Sequence, residues 1–328
     1  MTLRCAILDD YQDVALTLAD WPKLAGVEVE RFTTPIADEA KLAETLKGFA
    51  VIVAMRERTP FRESLLSRLP DLRLLITTGM RNASIEMDAA AQQGVLVCGT
   101  GAIGSPAAEL TWGLLLALVR HIPKETRNFR DGGGKWQLTL GNGLEGKTLG
   151  IVGLGKLGTM VARYGLAFGM DVVAWSRSNT PEKSRALGIG FATTLDDLLK
   201  KSDVVSLHLV LNAETRGILG ERELGLMKRG ALLINTSRGP LIDEKALIAS
   251  LRNGQLGGAG LDVFDHEPLP RDHPFRTLSN VVATPHLGYV TEENYRVYFN
   301  DAVEDIAAWR AGEPVRVLNK PAHGGKAS

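Results

Sequence analysis

Three residues with complementary chemistry each follow an apolar run of the sequence. Arg238 comes shortly after ALLIN, Glu267 lies in the acidic segment after GAGL, and His286 follows VVATP. Histidine donates a proton near neutral pH, a nearby carboxylate stabilises the charged imidazole, and arginine binds a carboxylate through two hydrogen bonds. This set suits the reduction of a ketone beside a carboxylate, because the carbonyl oxygen gains negative charge and needs a proton. We predict that all three are catalytic and that Arg238 and His286 also contact the substrate.

Each of the three residues also has a plain structural interpretation. Arg238 would then lie in a surface turn, Glu267 would be solvated in its polar loop, and His286 would cap the next element. The catalytic interpretation is favoured because parallel strands bring their carboxyl ends to one edge of an open sheet, where ligands bind. The His and acidic residues show no metal-ligand spacing, so we predict no metal site.

A glycine motif precedes these residues in the chain. Gly153, Gly155 and Gly158 fit the pattern GxGxxG, the apolar run TLGIVG leads into it, and an amphipathic segment starts inside it. In a strand–turn–helix setting, such glycines form the tight turn, admit a pyrophosphate and allow close packing. The free N–H groups at the start of the helix then face the phosphates. The plain alternative is a glycine turn without a ligand. The residues predicted to contact a dinucleotide are Gly153, Gly155, Lys156, Leu157, Gly158, Ser176, Arg177, Thr236, Ser237, Asp262 and Gly288.

The end of the next apolar run indicates which dinucleotide is bound. NAD-binding folds usually place a carboxylate there to hold the ribose 2′-hydroxyl, whereas DVVAW is followed by Ser176 and Arg177. A hydroxyl and a cation suit a 2′-phosphate. We therefore favour NADP as the cofactor, with NAD as the alternative. For Asp262 we favour contact with the cofactor amide, the alternative being a structural hydrogen-bonding role.

A second glycine pattern, GNGLEGKT at residues 141–148, matches the P-loop letter for letter. A P-loop needs a strand before it and a helix after it, so that the helix dipole meets the phosphates. Here an apolar strand-like run follows the pattern. We therefore reject a P-loop.

Alternating short apolar runs and helical stretches make up most of the chain. Five such runs lie within residues 4–98 and six within residues 148–283, which predicts two α/β domains with parallel sheets covered on both faces. The glycine-rich segment 99–104 is the expected hinge. After the last run, residues 292–311 form a helical pattern that we expect to pack back on the first domain.

Composition and charge exclude several classes of protein. Among 328 residues, Lys plus Arg and Asp plus Glu each number 38, which argues against binding to nucleic acid through bulk charge. Two cysteines exclude a disulfide framework. The longest apolar run, 110–119, is too short to span a membrane, and the acidic pair in MTLRCAILDD is unlike a signal peptide. We predict a cytoplasmic location.

Four strings in this order, TLGIVGLGKLG, INTSRGPLIDEKAL, GLDVFDHEPLP and TPHLGY, resemble the D-isomer-specific 2-hydroxyacid dehydrogenases. The resemblance implies two Rossmann-like, doubly wound parallel-sheet domains, with the cofactor domain inserted into a flavodoxin-like substrate domain. The domains would then be residues 1–102 plus 293–328 and residues 103–292. It also implies a homodimer formed through the cofactor domain, D stereochemistry, and an Arg–Glu–His trio that falls on Arg238, Glu267 and His286.

The resemblance also covers the first domain but departs from the family at one loop. The family's GxGxD-type loop, whose N–H groups hold the substrate carboxylate, corresponds here to TGMRNAS, with alanine where the acid is usual. Arg56 matches a family arginine near the far end of the substrate. The resemblance therefore implies that the substrate contacts lie at Arg56, Gly79, Met80, Arg81 and Asn82. Two arginines there would favour a second anionic or polar group on the substrate.

Three functions remain open at this stage. A short tail after the last helix favours small glyoxylate or hydroxypyruvate reductases over phosphoglycerate dehydrogenases acting on a phosphorylated acid. A nucleotide-sensing binding protein without physiological turnover is a second alternative. A methyltransferase or other Rossmann enzyme is disfavoured, because it would not need the complete trio.

Overall fold

A computed structural model describes residues 2–321 of the chain. Within them the chain forms two compact units. The first runs to Ile103 and resumes at Thr291, and the second comprises Gly104–Val290. Residues 1 and 322–328 of the predicted first domain lie outside the described residues. Among residues 2–321 there is no helix with the length and hydropathy that a membrane crossing requires.

The first unit is built on a five-stranded parallel sheet. Its strands are β1 (Leu3–Ile7), β2 (Val27–Arg31), β3 (Val51–Ala54), β4 (Leu74–Thr77) and β5 (Leu96–Gly99). Their order is β2-β1-β3-β4-β5, the flavodoxin-like order that the resemblance predicts. Strands β3, β4 and β5 are buried at every position, which is why they are continuous apolar runs rather than alternating ones.

Helices cover the sheet of the first unit. In chain-order numbering, they are α1 (Ala15–Leu18), α2 (Glu39–Thr45), α3 (Glu63–Leu66), α4 (Met87–Gln92) and α12 (Glu292–Arg310). Thr291 caps α12 by accepting a hydrogen bond from Asn294 N. The helix buries Tyr298, Phe299, Ala302 and others at the spacing of one helical face, and it packs against α1 and β4.

The second unit is a seven-stranded parallel sheet. Its strands are β6 (Thr148–Val152), β7 (Asp171–Trp175), β8 (Gly190–Phe191), β9 (Val204–Leu207), β10 (Ala231–Asn235), β11 (Leu256–Leu261) and β12 (Val281–Ala283). The order is β12-β11-β10-β9-β6-β7-β8. Strand order reverses between β6 and β9, which is the arrangement of a doubly wound dinucleotide-binding fold. The predicted fold class is thereby confirmed.

Both faces of this second sheet carry helices. They are α5 (Ser105–Val119), α6 (Ile122–Arg130), α7 (Lys156–Ala167), α8 (Pro181–Ala186), α9 (Leu195–Lys201), α10 (Glu221–Leu226) and α11 (Glu244–Arg252). Helix α5 packs on α7 and on β11, where Gly260 allows close approach. A Cβ at Gly260 would lie 3.1 Å from Leu114 Cβ.

Strand β8 and helix α6 are among the elements that the sequence analysis did not identify. Strand β8 has two residues, too few for a periodic signal. Helix α6 buries none of its residues, so it lacks the apolar stripe that marks a core-facing helix. It ends at Arg130.

Candidate active site

His286 and Glu267 form a hydrogen-bonded pair at the carboxyl edge of the second sheet. His286 Nδ1 lies 2.6 Å from Glu267 Oε2, and their side chains are 22% and 33% exposed. His286 follows β12 and Glu267 follows the neighbouring strand β11. His286 adopts a positive φ of 57°, which turns the chain after the strand. The bond through Nδ1 leaves Nε2 as the nitrogen that can exchange a proton with a substrate.

The main chain fixes the orientation of the Glu267 carboxylate. Its Oε1 accepts a hydrogen bond of 2.9 Å from the N–H of Phe264, three residues earlier. Its two oxygens therefore have separate tasks, one toward the main chain and the other toward the imidazole. Tyr289 packs edge-on against the His286 ring at a centroid distance of 5.4 Å, which limits the rotation of the ring.

Asp262 holds the loop that carries His286. The carboxylate is fully buried and accepts hydrogen bonds from Thr284 Oγ1 at 2.6 Å, Leu287 N at 2.7 Å and Gly288 N at 2.8 Å. Burial raises the pKa of Asp262, and the three hydrogen bonds oppose that rise. These contacts fit the alternative given for Asp262 in the sequence analysis, a structural hydrogen-bonding role. The predicted contact with the cofactor amide stays a prediction.

Arg238 follows β10, next to β11 in the sheet. Its main-chain carbonyl accepts from Asn235 Nδ2 at 2.9 Å, and its guanidinium Nη1 donates to the carbonyl of Ser237 at 2.7 Å. The following residue has no room for a side chain, because a Cβ at Gly239 would overlap the main chain of Phe264. The turn that presents Arg238 is thus specified by a single glycine.

The glycine loop after β6 has the shape that a dinucleotide requires. Gly153 has φ +104°, and a Cβ there would lie 2.6 Å from the carbonyl oxygen of His208. A Cβ at Gly155 would meet nothing within 4 Å, so the main chain is open to a ligand there. A Cβ at Gly158 would overlap the carbonyl of Gly153, so close packing requires glycine. Lys156 and Leu157 then begin the twelve-residue helix α7.

The other predicted cofactor residues surround this edge of the sheet. Thr236 Oγ1 lies 2.7 Å from Thr111 Oγ1, and Ser237 Oγ donates to the carbonyl of Leu207 at 2.8 Å. Ser176 is half-buried at the end of β7. Arg177 forms an ion pair with Glu214, the two side chains being 53% and 72% exposed.

In the first unit, Arg56 and the loop after β4 form a connected structure. Arg56 has φ +51°, its N–H donates to Thr78 Oγ1 at 2.9 Å, and its guanidinium Nη1 donates to the carbonyl of Thr78 at 2.9 Å. Asn82 Nδ2 donates to the carbonyl of Arg56 at 2.6 Å. The guanidinium packs on Gly79, where φ is +93° and a Cβ would overlap it.

The main chain of this loop is partly occupied by its own hydrogen bonds. The N–H of Gly79 donates to Thr100 Oγ1 at 2.8 Å. Among residues 2–321, the main-chain N–H groups of Met80 and Arg81 meet no acceptor, and both side chains are exposed. A carboxylate-binding cradle in this loop would therefore use the N–H groups of Met80 and Arg81.

Two charged neighbours were missed by the sequence analysis. Glu57 lies beside Arg56, with Oε2 3.7 Å from Nε, and its position next to Arg56 in the chain was the available signal. Glu214 meets Arg177 only through the fold, because the two residues follow different strands. His208 follows β9, its ring lies 2.9 Å from Ser206 Oγ, and burial of the ring lowers its pKa to about 4.

Comparison with known proteins gives matches along nearly the whole chain. Residues 112–288 match the family model described as "D-isomer specific 2-hydroxyacid dehydrogenase, NAD binding domain". The chain is 37% identical over 308 residues to a glyoxylate reductase of Aeropyrum pernix, covering 91% of each. It is 36% identical over 323 residues to a D-3-phosphoglycerate dehydrogenase of Methanocaldococcus jannaschii, covering 97% of this chain and 60% of that protein. A crystal structure of a phosphoglycerate oxidoreductase from Vibrio cholerae matches with a TM-score of 0.90 and 38% identity, covering 94% of this chain and 99% of that one.

Proposed function

The chain belongs to the D-isomer-specific 2-hydroxyacid dehydrogenase family and is an NAD-binding oxidoreductase, and we propose that it reduces small 2-keto acids such as glyoxylate and hydroxypyruvate to D-2-hydroxy acids. The observation that carries this proposal is the His286–Glu267 pair at the end of β12, on the same sheet edge as the glycine loop after β6. The glyoxylate reductase relative supports the choice of a small keto acid.

In the proposed reaction, residues of the second unit donate the proton to the substrate and bind the substrate carboxylate. Bound NAD(P)H supplies the hydride that reduces the keto carbon. His286 donates its Nε2 proton to the carbonyl oxygen as negative charge develops there, which forms the hydroxyl group. Glu267 accepts the Nδ1–H hydrogen bond, which orients the ring and stabilises the imidazolium before transfer. Arg238 binds the carboxylate next to the keto group. In the oxidative direction, His286 accepts the hydroxyl proton.

NADP is the cofactor that the end of β7 favours. Ser176 offers a hydroxyl and Arg177 a cation, and no acidic residue directly follows β7 in the chain. The ion pair of Arg177 with Glu214 is exposed at both ends, so separating it costs little, about 1 kcal/mol or less. A dianionic phosphate can therefore replace Glu214 as the partner of Arg177. NAD is the alternative, held through the same glycine loop.

Substrate contacts in the first unit are assigned to Arg56, Gly79, Met80, Arg81 and Asn82. Asn82 acts indirectly, since its amide donates to the carbonyl of Arg56 and to Thr77 Oγ1. Gly79 acts by leaving space for the Arg56 guanidinium. Met80 and Arg81 offer N–H groups.

A second copy of the chain is the proposed partner of the segment 122–140. This segment exposes several large apolar side chains, Ile122, Phe129, Trp136, Leu138 and Leu140, the last to 93%. Exposed apolar patches of this kind are typical of interaction sites. Sedimentation equilibrium should give a dimer, and Leu140→Glu should shift it toward monomer. A monomeric wild-type protein would contradict this assignment. The cytoplasmic location stays a prediction from sequence.

Initial rates with glyoxylate, hydroxypyruvate, pyruvate and a bulkier 2-keto acid test the proposed function, with NADPH and NADH at matched concentrations. We expect rapid turnover of the small keto acids and a preference for NADPH. A preference for NADH would overturn the role of Arg177. Cofactor binding without turnover of any keto acid would favour a nucleotide-sensing protein instead. A His286→Gln variant that retained wild-type kcat would refute the assigned proton donor.

A further inference from the structure

A buried carboxylate accompanies the arginine that is assigned to the far end of the substrate. Glu57 Oε2 lies 3.7 Å from Arg56 Nε, and the two side chains are only 19% and 20% exposed. At this exposure the pair is poorly screened by water, so the negative charge substantially offsets the positive one. The Arg56 guanidinium also donates one of its N–H groups to the carbonyl of Thr78. The arginine is therefore a weak receptor for a second anion.

Two other arginines of the first unit, Arg58 and Arg81, add little positive charge at the assigned far end of the substrate. Arg58 donates to the carbonyl of Asp9 at 2.6 Å and lies over the ring of Tyr11, and the Asp9 carboxyl is close enough to interact with its charge. Arg56 and Arg58 are thus each accompanied by a carboxyl group. Arg81, the other arginine of the first unit that is predicted to contact substrate, is exposed, so water screens its charge.

The pKa of Tyr298 in α12 is influenced by both Arg56 and Glu57. Its side chain is 1% exposed, and burial raises its pKa to about 12, with Arg56 opposing and Glu57 adding to the rise. Both charges thus lie within electrostatic range of one buried hydroxyl.

We propose that Glu57 is a specificity-determining residue that excludes substrates with a phosphorylated or otherwise anionic far end and admits those with an uncharged, hydrogen-bonding one. A carboxylate accepts a hydrogen bond from a hydroxyl group, whereas a phosphate placed against Arg56 would lie near a like charge. This inference rests on the proposed function and narrows its substrate class. It also narrows the expectation from Arg56 and Arg81 of a second anionic or polar group to an uncharged polar one.

The experiment compares hydroxypyruvate with its phosphate ester, because the two differ only in the phosphoryl group. For each enzyme the ratio of kcat/KM for the ester to kcat/KM for hydroxypyruvate is measured, with glyoxylate, which has no far-end group, as an internal reference. We expect wild type to prefer hydroxypyruvate. Glu57→Gln keeps the shape and removes the charge, and should raise the ratio roughly 100-fold, the effect of a like charge about 6 Å away in a partly buried site. Glu57→Asp keeps the charge and should leave the ratio near that of wild type.

Glu28→Gln is the matched control, because it removes one negative charge from an exposed position on β2. It should leave the ratio unchanged. A wild-type enzyme that uses the ester as well as hydroxypyruvate would overturn the inference, and so would a Glu57→Gln ratio within threefold of wild type. Either result with normal glyoxylate turnover leaves the proposed function intact. Absence of turnover with all unphosphorylated keto acids would overturn the proposed function and this inference with it.

Discussion

Replacing Asp262 with asparagine tests whether this carboxylate positions His286, the proposed proton donor. The wild-type carboxylate accepts three hydrogen bonds, and Oδ2 faces the N–H of Gly288 at 2.8 Å. In the asparagine variant, the single side-chain oxygen can stay toward Thr284 and Leu287. The amide nitrogen then faces the N–H of Gly288, which is itself a donor. The Gly288 N–H then loses its acceptor, which costs about 1–3 kcal/mol, and the remaining bonds lose their charge-assisted part, about 1 kcal/mol each.

The burial of the carboxylate works in the opposite direction. Its raised pKa indicates that the site on balance disfavours the charged form, so a neutral amide offsets part of the lost hydrogen bonding. The net destabilisation is therefore smaller than the sum of the lost bonds, about 3–5 kcal/mol, and it is concentrated in the loop of His286. A displacement of that ring by about 1 Å would lower the rate roughly 100-fold. Thr284→Val is the graded control, since it removes one donor and keeps both main-chain bonds.

The assay combines steady-state rates with a direct titration of NADPH binding. A positioning role predicts that Asp262→Asn lowers kcat about 100-fold while the cofactor Kd changes less than threefold. Thr284→Val should lower kcat by less than tenfold. A contact with the cofactor amide predicts instead a Kd at least tenfold weaker. If Asp262→Asn had wild-type kcat and wild-type Kd, both the positioning role and the cofactor contact of Asp262 would be refuted.

Three further outcomes follow from individual contacts. The pKa of Asp305, raised to about 7 chiefly by burial although Arg316 opposes the rise, lies above the unfolded value near 4. The stabilisation of the folded state by the protonated Asp305 carboxyl is therefore fully present below pH 4, and it is lost as the pH rises through 7. Wild type should lose about 2–4 kcal/mol of unfolding free energy across that range, and Asp305→Asn should lose less, by urea titration at several pH values. Glu214→Gln frees Arg177 and should tighten NADPH binding two- to fivefold, with NADH binding changed less than twofold in fluorescence titrations; equal effects on both would contradict the role of the pair. Gly239→Ala should cost about 2–4 kcal/mol in thermal unfolding, because its Cβ would overlap the neighbouring main chain, and an unchanged Tm would refute that overlap.

Much of the second unit follows from local pattern alone. Strands β6, β9 and β10 are apolar runs bounded by turn residues, and their limits are visible in sequence because largely buried parallel strands must be almost continuously apolar. The glycine loop is equally local, since a turn, an open approach and a close contact each require the absence of a Cβ. The types and order of Arg238, Glu267 and His286 also follow from their positions after strands.

The contacts that give those residues their chemistry depend on strand order. Glu267 and His286 are 19 residues apart, and they meet at 2.6 Å because β11 and β12 are neighbours in the sheet. The Asp262 carboxylate reaches the His286 loop for the same reason, which no spacing rule could indicate.

The sequence by itself therefore determined the two sheets, the dinucleotide loop and the identity of the candidate trio, because these depend on hydrophobic period and on the steric needs of glycine. Only the tertiary structure decided which charges are neighbours. It paired Arg177 with Glu214 and brought the half-buried side chains of Arg56 and Glu57 together. Coulomb energies depend on distance and on exclusion of water, and neither is a property of residue type.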